Sequence, residues 1–267
     1  MMRYKVEVEG IDSLRIMLAR LLKFLWYRLR TRVLRVILGV LMDKLAYGIR
    51  VKVGSVLYVI TSVFDLGVIS PEFELETFRV LTKLVKPGLV FIDVGAHIGK
   101  YTFPVARVLR GDGVVVAIEP NPRVFRALME GVKLNGFRNV VALNIALGDR
   151  DGNVVFCEKL ATGTSSVVEL EDCLDVIKVP MRSLDSLVAE LVLPKIDVIK
   201  IDVEGAEMLV LKGAISTLKK FKPHIFVEVR HRNFNEFRSF MDTVNYTCKE
   251  LERRAIDSNF YCYYEAI

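Results

Sequence analysis

Acidic and polar side chains recur in this sequence at one kind of place, the end of a short apolar run. Asp93 follows residues 90–92, Glu119 follows 114–118 and Asn144 follows 139–142. Asp202 and Glu204 follow 197–201, and Glu228 and His231 stand at and just past the end of 225–229. In an open parallel sheet, ligands bind beyond the carboxyl ends of the strands. This placement therefore lines one edge of a cleft with acids, an amide and an imidazole. Such groups can accept hydroxyl hydrogen bonds and take a proton from an attacking alcohol. Lys200, Asp202, Glu204, Glu228 and His231 form the candidate catalytic group. Lys200 and Asp202 share one side of their strand by its period of two, and Glu204 continues that side if the strand stays extended. Structural roles compete: Glu204 can cap the helix that follows, and Asp202 can orient a cofactor. A carboxylate pair can also hold Mg²⁺, but no third ligand is evident and nothing has zinc spacing, so no metal is expected.

The first apolar run opens onto Gly95-Ala-His-Ile-Gly99, and a helix-compatible segment, 101–109, follows. Strand, glycine turn and helix form the opening of a nucleotide site. Glycine lets backbone approach a ligand, and the helix start presents unpaired N–H groups. The turn is GxxxG. It lacks the middle glycine that makes room for a pyrophosphate in the nicotinamide-dinucleotide fingerprint. A ligand without phosphate fits better, and S-adenosylmethionine is such a ligand. Gly95 and Gly99 would wrap its amino-acid end, and Asp93 would steady the turn or accept from the ammonium group. Glu119, twenty residues past Gly99, is placed to accept from both ribose hydroxyls. Asn144 and the nearby backbone would hold the adenine edge.

The elements that must position these residues alternate regularly. Residues 51–63 read as one or two strands, 65–67 as a turn, and 71–85 as a helix with Glu72, Glu74 and Glu76 in its first turns, where the macrodipole favours anions. Helices are expected over 123–135, 184–191, 206–219 and 233–243, and short strands over 154–157 and 176–181. An irregular stretch, 158–175, includes 162–166, and loops this long are often functional. Residues 246–251 and 260–265 read as a closing antiparallel hairpin. The fold class is α/β, a doubly wound, mostly parallel sheet. Residues 64–76, 158–168 and 228–235 are expected to build the acceptor pocket.

The segments VFIDVGAHIGKYT, AIEPNP, LNIALGDRDG, GTSSV, SLDSL, DVIKIDVEGAE and IFVEV together resemble the FkbM family of S-adenosylmethionine-dependent methyltransferases. The similarity spans roughly residues 70–265. It implies a class I, Rossmann-like methyltransferase with a seven-stranded sheet. The activity it implies is O-methylation of a sugar, glycan, glycolipid or small-molecule hydroxyl. On this resemblance Asp93, Gly95, Ala96, His97, Gly99, Thr102, Glu119, Asn144 and Ala146 would line the cofactor, and Asn121 and Asp202 complete the candidate cofactor-binding group. His97 stands where many members have Asn. An RNA or protein methyltransferase on the same fold and an NAD-dependent oxidoreductase are the rival readings.

Composition limits the rest. The chain has 267 residues, 52% hydrophobic, and a net charge of +6. Residues 11–50 alone carry +7, so the remainder sums to −1. A nucleic-acid enzyme is more often basic around its substrate face, and no nucleic-acid partner is expected. The chain divides into a basic, amphipathic helical extension, 1–50, and a methyltransferase domain, 51–267, with the cofactor core at about 88–230. Leu14, Met17, Leu18, Leu21, Leu22, Leu25 and Leu29 recur at helical spacing. Two readings compete for 11–45: a helical cap on the domain or on a second subunit of a homo-oligomer, and an interfacial helix with Phe24, Trp26 and Tyr27 in a lipid headgroup layer. No run is long enough to span a bilayer and arginines interrupt any signal sequence, so a cytoplasmic protein, peripheral to the inner membrane face at most, is expected. Cys157, Cys173, Cys248 and Cys262 read as free thiols in a reducing compartment, with a Cys248–Cys262 disulfide as the minority alternative.

Overall fold

In the computed structural model the described residues are 6–8, 10–28, 32–159, 165–168, 173 and 175–265. The chain starts with β1 (Val6–Glu7) and two helices, α1 (Gly10–Arg28) and α2 (Arg32–Ala46). A hairpin of β2 (Arg50–Val53) and β3 (Val56–Val59) leads to α3 (Asp65–Val68) and α4 (Leu75–Leu84). Strands and helices then alternate: β4 (Leu89–Val94), α5 (Thr102–Leu109), β5 (Gly113–Ile118), α6 (Pro122–Leu134) and β6 (Val140–Leu143). Next come β7 (Ala146–Gly148), β8 (Gly152–Glu158), β9 (Asp175–Ser183) and α7 (Leu184–Leu191). The chain continues with β10 (Val198–Ile201), α8 (Glu207–Lys212), α9 (Ile215–Phe221) and β11 (His224–Arg230). It closes with α10 (Phe234–Thr243), β12 (Tyr246–Arg253) and β13 (Asp257–Tyr264).

Seven strands form the central sheet in the order β12-β13-β11-β10-β4-β5-β6. β11, β10, β4, β5 and β6 pair in parallel, and β13 alone runs antiparallel to its neighbours. Every residue of β4 and β10 is buried, because continuous apolar runs suit strands covered by helices on both faces. The order reverses between β4 and β10, so the crevice for a ligand opens where Val94 and Ile201 end side by side. This is the doubly wound sheet the sequence implies.

The helical extension is not separate from the domain. β1 pairs with β2 across residue 50, with Val6 opposite Val53. Ile16, Ala19, Met42 and Ala46 share one buried cluster with Phe103 of α5 and Leu128 of α6.

Several local expectations differ from the structure. The helix expected from residue 71 begins at Leu75, and Glu74 stands before it with a left-handed backbone, φ 57°. The turn at 65–67 is one turn of helix, and 51–63 contains two strands. The helix expected over 206–219 is broken at Gly213, where a Cβ would lie 2.0 Å from the Gly148 carbonyl oxygen of β7. β7 itself pairs in parallel with β9 and starts a small side sheet, β7-β9-β8. Leu29 and residues 160–164 and 169–172 lie outside the described residues, so part of the acceptor loop does too.

The free-thiol reading of the cysteines is overturned, and the Cys248–Cys262 alternative is the one the structure shows. Cys157 bonds Cys173 and Cys248 bonds Cys262, with Cα atoms 5.3 and 4.1 Å apart. Cys248 and Cys262 are register partners on β12 and β13, and Cys157 meets Cys173 at the start of β9, a pairing no sequence spacing announces. Disulfides persist chiefly in oxidising compartments, so the thiol argument for a reducing one is withdrawn. Among the described residues no helix is long and apolar enough to cross a membrane.

Candidate active site

A cavity of about 430 Å³ opens at the carboxyl edge of the central sheet. Its two ends are built differently. At the first, Gly95 and Gly99 hold φ of 81° and 96°. A Cβ on Gly95 would lie 1.8 Å from the Asp202 carbonyl oxygen, and one on Gly99 would lie 2.6 Å from the Phe103 ring. Both positions therefore need glycine for space as well as for conformation. The amides of Gly95 and Ala96 both donate to the Ile118 carbonyl at 2.9 Å, which ties the turn to the end of β5. His97 holds φ 51°, in the left-handed region that Asn and His enter more readily than most residues. That explains why an Asn-type position tolerates His.

Glu119 sits just past β5 and is buried. Its Oε2 accepts from the His97 amide and its Oε1 from the Asn121 amide, each at 2.9 Å. Burial raises its pKa against those two bonds and the nearby His97. Each carboxylate oxygen keeps a second acceptor site. Ile118, Ile145, Leu147 and Phe156 add apolar wall beside it.

The second end is ionic. Glu74 is buried; its Oε2 accepts from Lys100 Nζ at 2.5 Å and from the Tyr101 hydroxyl at 2.8 Å, and its Oε1 accepts from Asn259 Nδ2 at 3.0 Å and from Arg254 at 3.3 Å. Burial alone would push Glu74 up, but Lys200 and Lys100 outweigh it and hold the carboxyl well below the usual carboxylate range. Arg254 also bonds Glu228 and reaches Asp257 at 2.6 Å. Arg230, buried, reaches Asp257 at 3.0 Å and bonds Glu204. Burial, reinforced by the Asp202 charge, pushes Glu228 up to about 8 and Glu204 well above its ordinary value. Glu204 holds φ 51°, a strained backbone of the kind that clusters at functional sites. The arrangement alternates carboxylates and cations and holds the Glu228 and Glu204 carboxyls above their ordinary range.

The residues singled out in the sequence divide clearly. Gly95, Ala96, His97, Glu119, Ala146, Asp202, Glu204 and Glu228 line the cavity. Asp93 lies beneath it and accepts from the Thr102 hydroxyl at 2.6 Å, fixing the start of α5; burial pushes its carboxyl up to about 6. Thr102 and Gly99 thus shape the turn from behind. Asn121 caps α6 by accepting from the amides of Arg123 and Val124. The Asn144 side-chain amide donates to the carbonyls of Glu119 and Pro120, so it braces that loop and does not face the cavity. Lys200 is fully buried below the wall, 3.2 Å from Asp202 Oδ2. Burial presses its pKa down, but Asp202, Glu74, Glu228 and Asp93 together raise it. It positions carboxylates and does not reach a substrate. His231 is a correction too. A single 3-10 turn, His231–Asn233, carries it away from the cavity, where its ring lies 4.8 Å from that of Phe234 and 3.4 Å from Ser258 Oγ.

All three expected acceptor segments reach the wall, through Phe64, Asp65, Val68, Phe73 and Glu74, through Ser165 and Ser166, and through Glu228 and Arg230. Arg254 and Asp257, from the β12–β13 turn, were not singled out in the sequence. Their one local sign is a basic pair, Arg253-Arg254, three residues before an acid in a tight hairpin. Glu74, Asp202 and Glu228 offer carboxylate oxygens within 4.8 Å of one another, the third ligand that the sequence did not show. Lys100, Lys200 and Arg254 already bond or neutralise these groups.

Residues 93–252 match the family model described as the methyltransferase FkbM domain. Among curated proteins, the chain is 31% identical over 160 residues to the hexuronic acid methyltransferase AglP of Haloferax volcanii, covering 58% of this chain and 62% of that protein. It is 26% identical over 174 residues to the 2-O-methyltransferase NoeI of Sinorhizobium fredii, covering 59% and 70%. A crystal structure of a methyltransferase FkbM from Methylobacillus flagellatus superposes with a TM-score of 0.55 and 18% identity, over 95% of this chain and 60% of that one. The chain therefore spans less than two thirds of the AglP relative and of the solved FkbM chain. The match covers the glycine turn, Glu119, Asp202, Glu204 and Glu228, with Glu74, Arg254 and Asp257 of the ionic end outside it, and the chain belongs to the FkbM family of S-adenosylmethionine-dependent methyltransferases.

Proposed function

We propose that this enzyme methylates a hydroxyl oxygen of a sugar-containing acceptor. The cofactor of the family fits the first end of the cavity. Gly95 and Gly99 let the turn pack against the Asp202 carbonyl and the Phe103 ring, which holds Gly95, Ala96 and His97 at the cavity wall; Glu119 has acceptor sites to spare for a ribose diol, and the apolar wall suits an adenine ring. When bound, S-adenosylmethionine supplies an electrophilic methyl group on a sulfonium.

The chain's own residues do the rest. Glu119, itself held by the His97 and Asn121 amides, fixes the cofactor's place. Asp202, whose carbonyl packs on Gly95, couples that place to the ionic end. Glu228 and Glu204 face the space where the acceptor would lie, and alternating carboxylates and guanidinium groups suit a polyhydroxylated molecule. In the transfer an alcohol oxygen would gain the methyl group as the methyl–sulfur bond breaks to leave a neutral thioether, and Glu228 would accept the proton the alcohol loses. An ordinary carboxylate is a weak base for this task, whereas one raised to about 8 is matched to working pH. The observation that carries the reading is the placement of Glu228 and Glu204, each bonded to an arginine, in the cavity wall across from the glycine turn. The names of AglP and NoeI, a hexuronic acid methyltransferase and a 2-O-methyltransferase, support the acceptor class. The charge of −1 outside residues 11–50 weighs against a nucleic-acid substrate.

The test is transfer of labelled methyl from S-adenosylmethionine to neutral and uronate-containing oligosaccharides, tRNA and a protein extract. Label in the sugar fraction that survives mild alkali supports a methyl ether. Label confined to tRNA or protein contradicts the proposal.

A further inference from the structure

α1 has two apolar faces, and the domain uses only one. Ile16 and Ala19 are buried in the core beneath the helix, and Leu22 and Trp26 pack against the same cluster. The opposite side carries Leu14, Met17, Leu18, Leu21, Phe24 and Leu25, each 40–58% exposed. Their spacing of three and four residues makes one continuous stripe along the helix. α2 adds Ile37, Val40 and Leu41, again exposed and at helical spacing. Arg28 stacks over the Phe24 ring at 4.1 Å, and Arg20, Arg28 and Lys44 are exposed beside these residues. An amphipathic helix with a second, unburied apolar stripe and a basic flank has the composition of an interfacial helix.

We propose that α1 and α2 dock the enzyme onto an anionic lipid surface and present the cavity to a sugar carried on a lipid there. Charge selects this occupant. Residues 11–50 carry +7, and two copies meeting through the stripe would bring like charges together. An anionic bilayer attracts the same charges and takes up the apolar stripe. Position supplies the link to the active site. Lys23 lies 4.3 Å above the Phe64 ring, and Trp26 contacts the same ring at 5.9 Å. Phe64 lines the cavity. Docking through the opposite side of α1 therefore sets the bilayer one helix diameter, about 10 Å, from the wall formed by Phe64 and Val68. The lipid-linked acceptor rests on the sugar O-methylation reading; the docking does not.

Flotation of the full chain with vesicles tests it, using phosphatidylcholine alone and an equal mixture with phosphatidylglycerol. The comparison protein is the double variant Leu21→Glu, Phe24→Glu, whose sites are exposed and outside the cavity. The wild type should float with the anionic vesicles, not with phosphatidylcholine, and should lose at least about tenfold in binding in high salt, where surface charges are screened. The double variant should bind at least about tenfold more weakly while keeping its melting temperature. A wild type that stays with the soluble fraction, or a variant that floats equally well, overturns the proposal. So does a dimer in sedimentation that the double substitution dissolves, with no vesicle binding by the wild type. S-adenosylhomocysteine titrated into both proteins keeps the two readings apart, because its failure to bind counts against the methyltransferase reading and leaves flotation unaffected. With docking shown, turnover on a vesicle-embedded glycolipid should fall in the variant, and turnover on a soluble glycan should not.

Discussion

The two ends of the cavity are made by opposite means. The cofactor end is mostly backbone. Gly95, Ala96 and His97 belong to one short turn, and their amides bond the Ile118 carbonyl and the Glu119 carboxylate within one β-α-β unit. The acceptor end is mostly side chain. Glu74, Glu204, Glu228, Arg230, Arg254 and Asp257 come from four segments, and Glu74 is bonded by residues 180 and 185 positions away. A backbone site is rigid and common to any acceptor. A side-chain site can be rebuilt one charge at a time. The division is what an enzyme needs if cofactor stays constant while acceptor differs among relatives.

The largest expected effect breaks the backbone end. Gly95→Ala places a Cβ against the Asp202 carbonyl in a backbone that disfavours any side chain. The strain costs more than about 1 kcal/mol in stability, and S-adenosylhomocysteine binding should be lost; calorimetry with a melting curve distinguishes lost binding from lost fold.

Next comes Glu228→Gln, which should reduce kcat by about 10² to 10⁴. The wild-type rate should rise as pH passes about 8, because the base works only when deprotonated, and the variant should lose that rise. Stability moves the other way. The folded pKa of Glu228 lies above the ordinary 4.5, so its contribution is full below that value and is lost as pH rises to about 8. A melting temperature measured from pH 5 to 9 should fall less steeply in Glu228→Gln than in the wild type.

Reduction of the disulfides is smaller. Cys157–Cys173 closes a 16-residue separation beside Ser166 of the acceptor wall, worth about 3 kcal/mol in the chain-entropy account. Treatment with a phosphine reductant should lower the melting temperature and raise acceptor KM, with cofactor affinity changed by less than about threefold. The smallest effect is Asn121→Ala. It removes the cap of α6 at about 1 kcal/mol and should leave kcat unchanged, as a denaturant titration beside a rate assay would show.

The same contrast explains what was legible in the sequence. The strand, glycine turn and helix at 89–109 are contiguous, and their residues follow from local rules of φ, burial and helix starts. Glu119 was legible because strand ends gather at one edge of a parallel sheet. Glu74 was not. The helix-dipole rule made it a first-turn acid, whereas Lys100, Arg254 and Asn259, all distant in sequence, draw it inward ahead of the helix. His231 misled because strand periodicity says nothing of the 3-10 turn that rotates it onto Phe234. Asn144 and Asn121 stand where a ligand contact is expected, but both meet backbone needs first, one bracing a loop and one capping a helix. The disulfides depend on register and loop path, which cysteine spacing does not encode.

The separability of the two ends is the central claim, and one titration tests it most directly. S-adenosylhomocysteine is titrated calorimetrically into wild type, Glu228→Gln and Gly95→Ala at the same pH. The account predicts wild type and Glu228→Gln affinities within about threefold, a difference under 1 kcal/mol, and no binding to folded Gly95→Ala. Loss of binding in Glu228→Gln equal to that in Gly95→Ala would contradict it, because the ionic end would then be part of the cofactor site.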